Sequence, residues 1–303
     1  MDWHTEIEAA AARIAGHVRR TPVTEIDLGG QSVAIKLEQM QHTGTFKARG
    51  AFNALIRGPV PAGGVVAASG GNHGAAVAFA AARLGIPARI FVPEIAGPSK
   101  IALIERTGAA LTVVPGAYAD ALAAALACEA ETGAMQVHAY DAPATLAGQG
   151  TCLREWEEQG LDADTVLIAV GGGGLIGGAM AWLQGRRKVV AVEPEQARTL
   201  NAALEAGAPV DVPVSGIAAN ALGARRIGTL CFDLARAQGI TSVTVPDEAI
   251  AEAQRVLWRE ARLLVEPAGA TALAALLSGV YRPAPGEKVA ILLCGANVAP
   301  EPV

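Results

Sequence analysis

The stretch Gly171-Gly172-Gly173-Gly174-Leu175-Ile176-Gly177-Gly178 directly follows an uncharged β-branched run and opens an apolar one. A glycine-rich turn from strand to helix lets several backbone N–H groups approach an anion without obstruction by Cβ, and the helix N-terminus adds a favourable dipole. A merely tight turn does not need four consecutive glycines, so the motif reads as a phosphate site. The owner of the phosphate stays open on this motif alone. Gly172, Gly174 and Gly177 satisfy G-x-G-x-x-G, and Glu193 ends the next strand about 20 residues on, as a dinucleotide-binding unit requires. A nicotinamide enzyme and an enzyme of another phosphate-bearing cofactor stand even at this point.

Lys47 breaks the tie. Thr43, Gly44 and Thr45 make a turn that can cap a helix beginning near Phe46, which places Lys47 in the first helical turn. The positive end of the helix dipole disfavours a second positive charge, so the lysine pKa is expected to fall, which suits Schiff-base chemistry. Taken alone, Lys47 would read as a surface lysine. Ser69-Gly70-Gly71-Asn72-His73-Gly74 is a second strand-to-helix turn, whose N–H groups form a natural site for a carboxylate. Cys294, read alone, is a small buried hydrophobe at a strand end, and His73 is a helix-start histidine with a structural hydrogen bond.

The whole segment from Lys36 to Asn53 closely resembles the cofactor-lysine motif of the serine/threonine dehydratase and serine racemase family, pyridoxal-phosphate enzymes of the tryptophan-synthase-β type of fold. The resemblance runs over nearly the full chain. It includes Ser69 to Gly74, the tetraglycine loop, Val265-Glu266-Pro267 and Cys294-Gly-Ala-Asn297-Val298, in the family's order. It implies a cofactor, pyridoxal 5′-phosphate, held by Lys47, which then acts as base at the substrate Cα. It also implies that Phe46 packs on the cofactor ring, that Asn72 hydrogen-bonds the 3′-oxygen, and that Gly171, Gly172, Gly173 and Gly174 cradle the phosphate. Cys294 corresponds to the small polar residue beside the pyridine nitrogen. A neutral thiol does not hold that nitrogen protonated, so loss of a β-leaving group competes well against slower chemistry. Ser69, Gly70, Gly71, Asn72 and His73 are the expected substrate-binding residues.

Departures from the family sharpen the expectation. Racemases of the family carry a serine where this chain has Gly70, so no side chain delivers a proton to the second face and elimination should dominate over racemisation. The family's divalent-metal site pairs a glutamate matching Glu193 with an aspartate that here is Thr199, a far weaker ligand for a hard cation, and no metal is expected. Asn220 stands where relatives commonly have aspartate. The chain stops shortly after Asn297, so no C-terminal regulatory domain is expected.

Positioning these residues takes repeated β-α-β units. Strands are predicted at Gly64–Ala68, Ala88–Val92, Ala110–Val114, Thr165–Val170, Lys188–Val192 and Lys288–Leu293. Helices are predicted at His73–Leu84, Ser99–Thr107 and Asp120–Thr132, from Leu175, and from an Asp247 cap to about Leu264. This alternation implies an α/β fold of two domains, each an open, mainly parallel sheet flanked by helices. The larger domain would comprise 1–58 and 141–303, and the smaller 59–140.

Composition excludes other classes. The net charge is −5 and aromatics make up 4%, against the basic face and stacking surface that nucleic-acid binding needs. None of the four cysteines forms a C-x-x-C pair, the N-terminus is no signal peptide, and the uncharged stretch 165–185 is broken by glycines, so no membrane span is expected. The cytoplasm is the expected location by default, and the resemblance implies a homodimer acting on a small amino acid. The resemblance implies dehydration and deamination of a 3-hydroxy amino acid, L-threonine or L-serine, to a 2-oxo acid and ammonia. The alternatives are a relative acting on another β-substituted amino acid such as 3-hydroxyaspartate, a serine racemase, an NAD-dependent oxidoreductase, or a non-catalytic binding protein of the same fold.

Overall fold

Apolar strands with every residue buried are the signature of parallel sheets covered on both faces, and this chain builds two of them. The computed structural model of the chain describes residues 1–96, 98–116 and 118–298. The chain starts with helix α1 (Trp3–Ile14), strands β1 (Val23–Asp27) and β2 (Ser32–Leu37), and helix α2 (Lys47–Ile56). Then follow β3 (Val65–Ala68), α3 (Asn72–Leu84), β4 (Ala88–Pro93), α4 (Pro98–Glu105), β5 (Ala110–Val114), α5 (Tyr118–Thr132) and β6 (Met135–Gln136). The next group is α6 (Pro143–Glu158), β7 (Thr165–Ala169), α7 (Gly174–Leu183), β8 (Lys188–Pro194), α8 (Thr199–Ala206), α9 (Ala219–Leu222) and α10 (Thr229–Gln238). The last elements are β9 (Thr241–Val245), α11 (Asp247–Ala261), α12 (Pro267–Leu277) and β10 (Val289–Leu293).

The larger sheet has the order β1-β2-β10-β7-β8-β9, and the smaller β5-β4-β3-β6. All pairs are parallel except the β1–β2 hairpin. β3, β7 and β10 are buried at every residue. One apolar cluster surrounds the larger sheet, and a second surrounds the smaller. Ala48, Ala51, Phe52 and Leu55 of α2 join the second cluster, so the helix that starts at Lys47 lies between the two sheets. Glycines let α2, α6 and α7 approach backbone to backbone. A Cβ on Gly148 would lie 2.6 Å from Gly50 Cα, and one on Gly178 would lie 2.5 Å from Gly150 N. This stack ties Lys47 to the glycine loop ahead of α7.

Two local expectations need correction. Pro246, not Asp247, occupies the cap position of α11, and the Asp247 carboxylate instead accepts from Ile217 N–H at 3.0 Å. The helix ends at Arg262, in a left-handed conformation with φ 55°, short of the expected Leu264. β3 starts one residue late because Gly64 has φ 76°. α7 is buried on all sides, which accounts for its membrane-like sequence. Among the described residues no helix is long and apolar enough to cross a membrane.

Candidate active site

The functional segments meet at the C-terminal ends of the parallel strands, where open α/β sheets bind ligands. β7 leads into Gly171 to Gly174, β10 into Cys294, and β3 into the Ser69–Asn72 turn. The segment before α2 is zipped to the segment after β10. Phe46 N–H donates to Cys294 O at 3.3 Å and Ala296 N–H to Gly44 O at 3.0 Å, and Thr45 pairs antiparallel with Gly295. This fixes the start of α2 beside the end of the central strand. One cavity is lined by Phe46, Lys47, Asn72, Gly171 to Gly174 and Cys294.

Phe46 sits at the cap position of α2, and Thr45 Oγ1 accepts from Lys47 N–H at 3.3 Å. The Lys47 ammonium donates to Ala139 O at 2.8 Å and lies 5.2 Å from the centre of the Phe46 ring. Burial lowers its pKa from 10.5 to about 8, and the Cys294 thiol opposes this in part. The direction is the one expected, but the cause is desolvation rather than the helix dipole.

The glycine loop is aimed by its carbonyls. Gly171 O accepts from Thr199 Oγ1 at 2.6 Å, Gly172 O from Gly228 N–H at 3.1 Å, and Gly173 O from Gly177 N–H at 2.8 Å. A trans peptide points its N–H opposite to its C=O, so the N–H groups of Gly172, Gly173 and Gly174 turn toward the cavity. No side chain caps α7, and the first N–H groups of a helix lack intrahelical partners. Gly173 has φ 91°, and a Cβ there would lie 2.6 Å from Cys231 Sγ. A Cβ on Gly172 would collide with the Tyr140 ring. The loop is therefore a set of donors suited to a dianion.

Glu193 does not serve a ribose hydroxyl. It is fully buried, and its carboxylate accepts from Leu200 N–H at 2.8 Å and Asn201 N–H at 2.7 Å, with Thr199 Oγ1 at 3.2 Å. It caps α8. Burial raises its pKa to about 7 against those hydrogen bonds. Among the described residues no group of three His, Cys, Asp or Glu is placed to hold a metal ion.

Of the second turn, Asn72 lines the cavity, while Ser69, Gly70, Gly71 and His73 lie around the same helix start outside its described wall. Ser69 Oγ accepts from Gly71 N–H at 3.2 Å. His73 is buried with Nε2 2.7 Å from Val137 O, and burial lowers its pKa to about 3, with Lys47 adding to the effect. It is therefore neutral near neutral pH. Cys294 Sγ donates to Ala268 O at 3.4 Å, and burial pushes the thiol pKa well up, so it too is neutral.

Sequence reasoning assigned no role to Glu266, Tyr140 or Leu222, which also line the cavity. Glu266 lay inside a quoted motif, and a carboxylate immediately before a helix-opening proline was the available signal. Tyr140 and Leu222 had none.

Residues 14–295 match the family model described as pyridoxal-phosphate dependent enzyme. The chain is 37% identical over 300 residues to phenylserine dehydratase of Ralstonia pickettii, covering 96% of this chain and 92% of that protein. It is 35% identical to L-threonine ammonia-lyase of Geobacter sulfurreducens, covering 97% of this chain and 75% of that one. The structure of maize serine racemase superposes with a TM-score of 0.93 at 32% identity, covering 98% of this chain and 94% of that one. With lysine, donor loop and neutral thiol around one cavity, the chain belongs to the pyridoxal-phosphate-dependent enzymes, in the family of the threonine dehydratases and serine racemases.

Proposed function

We propose that the protein removes water and then ammonia from a 3-hydroxy amino acid with an uncharged side chain, L-threonine or L-serine, giving a 2-oxo acid. The observation that carries this reading is a lysine of lowered pKa facing an uncapped, glycine-lined helix start across one cavity. These residues fit the cofactor: the N–H groups of Gly172 to Gly174 suit its phosphate, Phe46 would pack on its ring, and Asn72 would hydrogen-bond its ring oxygen. Bound there, pyridoxal phosphate supplies an aldehyde that condenses with primary amines and a ring that withdraws electron density from Cα.

The chain's own residues supply the rest. Lys47 would hold the cofactor, and its Nζ is the base that would take the substrate Cα proton. A pKa of about 8 leaves part of that amine neutral near neutral pH. The neutral Cys294 thiol would bring no charge to the ring nitrogen, which would keep electron withdrawal modest and favour loss of the β-hydroxyl. The N–H groups at the start of α3 receive the substrate carboxylate. Lys47 is the only cation among the described residues lining the cavity. At Gly70 no side chain can deliver a proton to the other face, and a Cβ would collide with Ala96 Cβ and lie 2.8 Å from Val92 Cγ1. Racemisation is therefore disfavoured.

A second reading, an aromatic 3-hydroxy amino acid, is favoured by the similarity to phenylserine dehydratase and by the apolar Leu222 and Ala221 on the cavity wall. A homodimer of two-domain protomers, 1–58 with 141–303 and 59–140, belongs to the same proposal.

The test is an absorbance spectrum of the purified protein followed by a 2-oxo acid assay with L-threonine, L-serine and phenylserine. We expect a cofactor band that Lys47→Ala removes, 2-oxo acid formed by the wild type, and no D-enantiomer in the residual substrate. A band with no product from any of the three substrates would overturn the proposed reaction.

A further inference from the structure

A carboxamide presents oxygen at one end and NH2 at the other with nearly the same shape, so its partners decide which end meets a ligand. Asn72 has partners at both ends. Its Nδ2 donates to Glu266 Oε1 at 2.7 Å, and its Oδ1 accepts from Asn297 Nδ2 at 2.9 Å. Asn297 Nδ2 also donates to Thr43 O at 2.8 Å. The two ends of this chain of bonds are a backbone carbonyl and a carboxylate, both acceptors. Turning Asn297 around would set its oxygen against the Thr43 carbonyl. Turning Asn72 around would set oxygen against Glu266 and NH2 against NH2. Only one arrangement satisfies all four groups.

The surroundings make room for that arrangement. Glu266 is 4% exposed. A Cβ on Gly295 would collide with Glu266 Oε1, and one on Gly44 would lie 2.6 Å from Asn297 Oδ1. Gly44 also has φ 73°. Two glycines therefore admit the two side chains that hold Asn72, and Asn72 and Glu266 both line the cavity.

We propose that Glu266 and Asn297 are positioning residues that lock the Asn72 carboxamide with an N–H, rather than the oxygen, toward the cavity, so that the cofactor oxygen meets a donor there. The lock rests on the reading above in which Asn72 touches the cofactor. Asn297→Asp puts a second carboxylate against Asn72, so that an acceptor faces it at each end, neither orientation is satisfied and the lock is lost. Asn297→Ser removes the double donor without adding charge. Glu266→Gln keeps an acceptor, because the glutamine can turn its carbonyl oxygen to Asn72.

The experiment titrates pyridoxal phosphate into the cofactor-free full-length protein and records the ratio of the cofactor's absorbance bands, with thermal unfolding as the control for folding. Asn297→Asp and Asn297→Ser should weaken binding by about tenfold, the scale of one hydrogen bond. Both should move the band ratio toward that of Asn72→Ala, and Glu266→Gln should keep the wild-type ratio. A merely structural role would lower the unfolding temperature and leave the ratio unmoved. If Asn72→Ala shifts affinity and ratio while both Asn297 variants keep wild-type values, the lock is wrong and the Asn72 contact stands. If Asn72→Ala changes neither, the contact itself fails and the lock falls with it.

Discussion

Lys47 meets two opposed demands, because an ammonium is stable in water and a reactive amine is made by removing water. Burial lowers its pKa from 10.5 to about 8, a shift worth ~3 kcal/mol against folding of the cofactor-free protein. Below about pH 8 the side chain is charged in both folded and unfolded states, and the full penalty is present. Between about 8 and 10.5 the folded state sheds its proton first, so the penalty shrinks as pH rises. Cofactor-free Lys47→Met should therefore be more stable than wild type toward urea at neutral pH, with the gap narrowing as the solution becomes alkaline. A gap that is absent, or that widens with pH, would show that desolvation is not what activates this lysine.

The strand-to-helix unit β7–α7 does its work through backbone, and the backbone is aimed by a residue 28 positions away in sequence, Thr199 to Gly171. Thr199→Val keeps the side-chain volume and loses the hydroxyl that holds Gly171 O. The cofactor-free protein should lose about 1 kcal/mol, and pyridoxal phosphate should bind about tenfold more weakly as the Gly172 N–H loses its aim. Thr199→Ser should restore both. Unchanged affinity in the valine variant would remove Thr199 from the aiming of the loop. At this scale the sequence is legible where alternation is strong, as from β3 through α5. It is silent where an element's buried face is built from small and polar residues. α6 buries Thr145, Gly148, Gln149, Gly150 and Thr151 alongside the apolar Leu146 and Leu153, and these small and polar residues interrupt the apolar periodicity that would announce it. The β1–β2 hairpin is likewise hidden, since only Ile26 of β1 is buried.

Across the whole molecule, the helix that carries Lys47 is pinned to the larger sheet by a buried ionic cluster. Arg49 Nη2 lies 2.7 Å from Glu38 Oε1 and 3.0 Å from Glu155 Oε1, and Lys36 Nζ lies 2.6 Å from Glu155 Oε1. Burial would raise the Glu38 pKa, yet Arg49 holds it below the usual carboxylate range. That contribution to stability is present above the ordinary carboxylate pKa and is lost as pH falls through the lowered one. Removing one partner of a buried pair costs more than the pair contributes, because a charge is left without compensation. Arg49→Met should destabilise the protein by ~3–5 kcal/mol, read as a lower urea midpoint, and the loss should shrink in acid as Glu38 is protonated. A loss of under ~1 kcal/mol would mean that the cluster is solvated and does not pin α2.

Local sequence marked the candidate parts. The turn before Lys47, the four glycines between strand and helix, and the Asn72 turn are each recognisable within a few residues, because backbone geometry and helix ends are short-range properties, while the roles expected of them came from the resemblance along the whole chain. Tertiary structure decided how those parts are oriented. Asn297 and Asn72 are 225 positions apart, and Asn72 and Glu266 are 194 apart. Which end of a carboxamide faces a cavity is set by such partners, and no spacing along a chain encodes it. The same holds for Lys36 and Glu155, whose charges are tolerable inside the protein only because folding brings them to 2.6 Å.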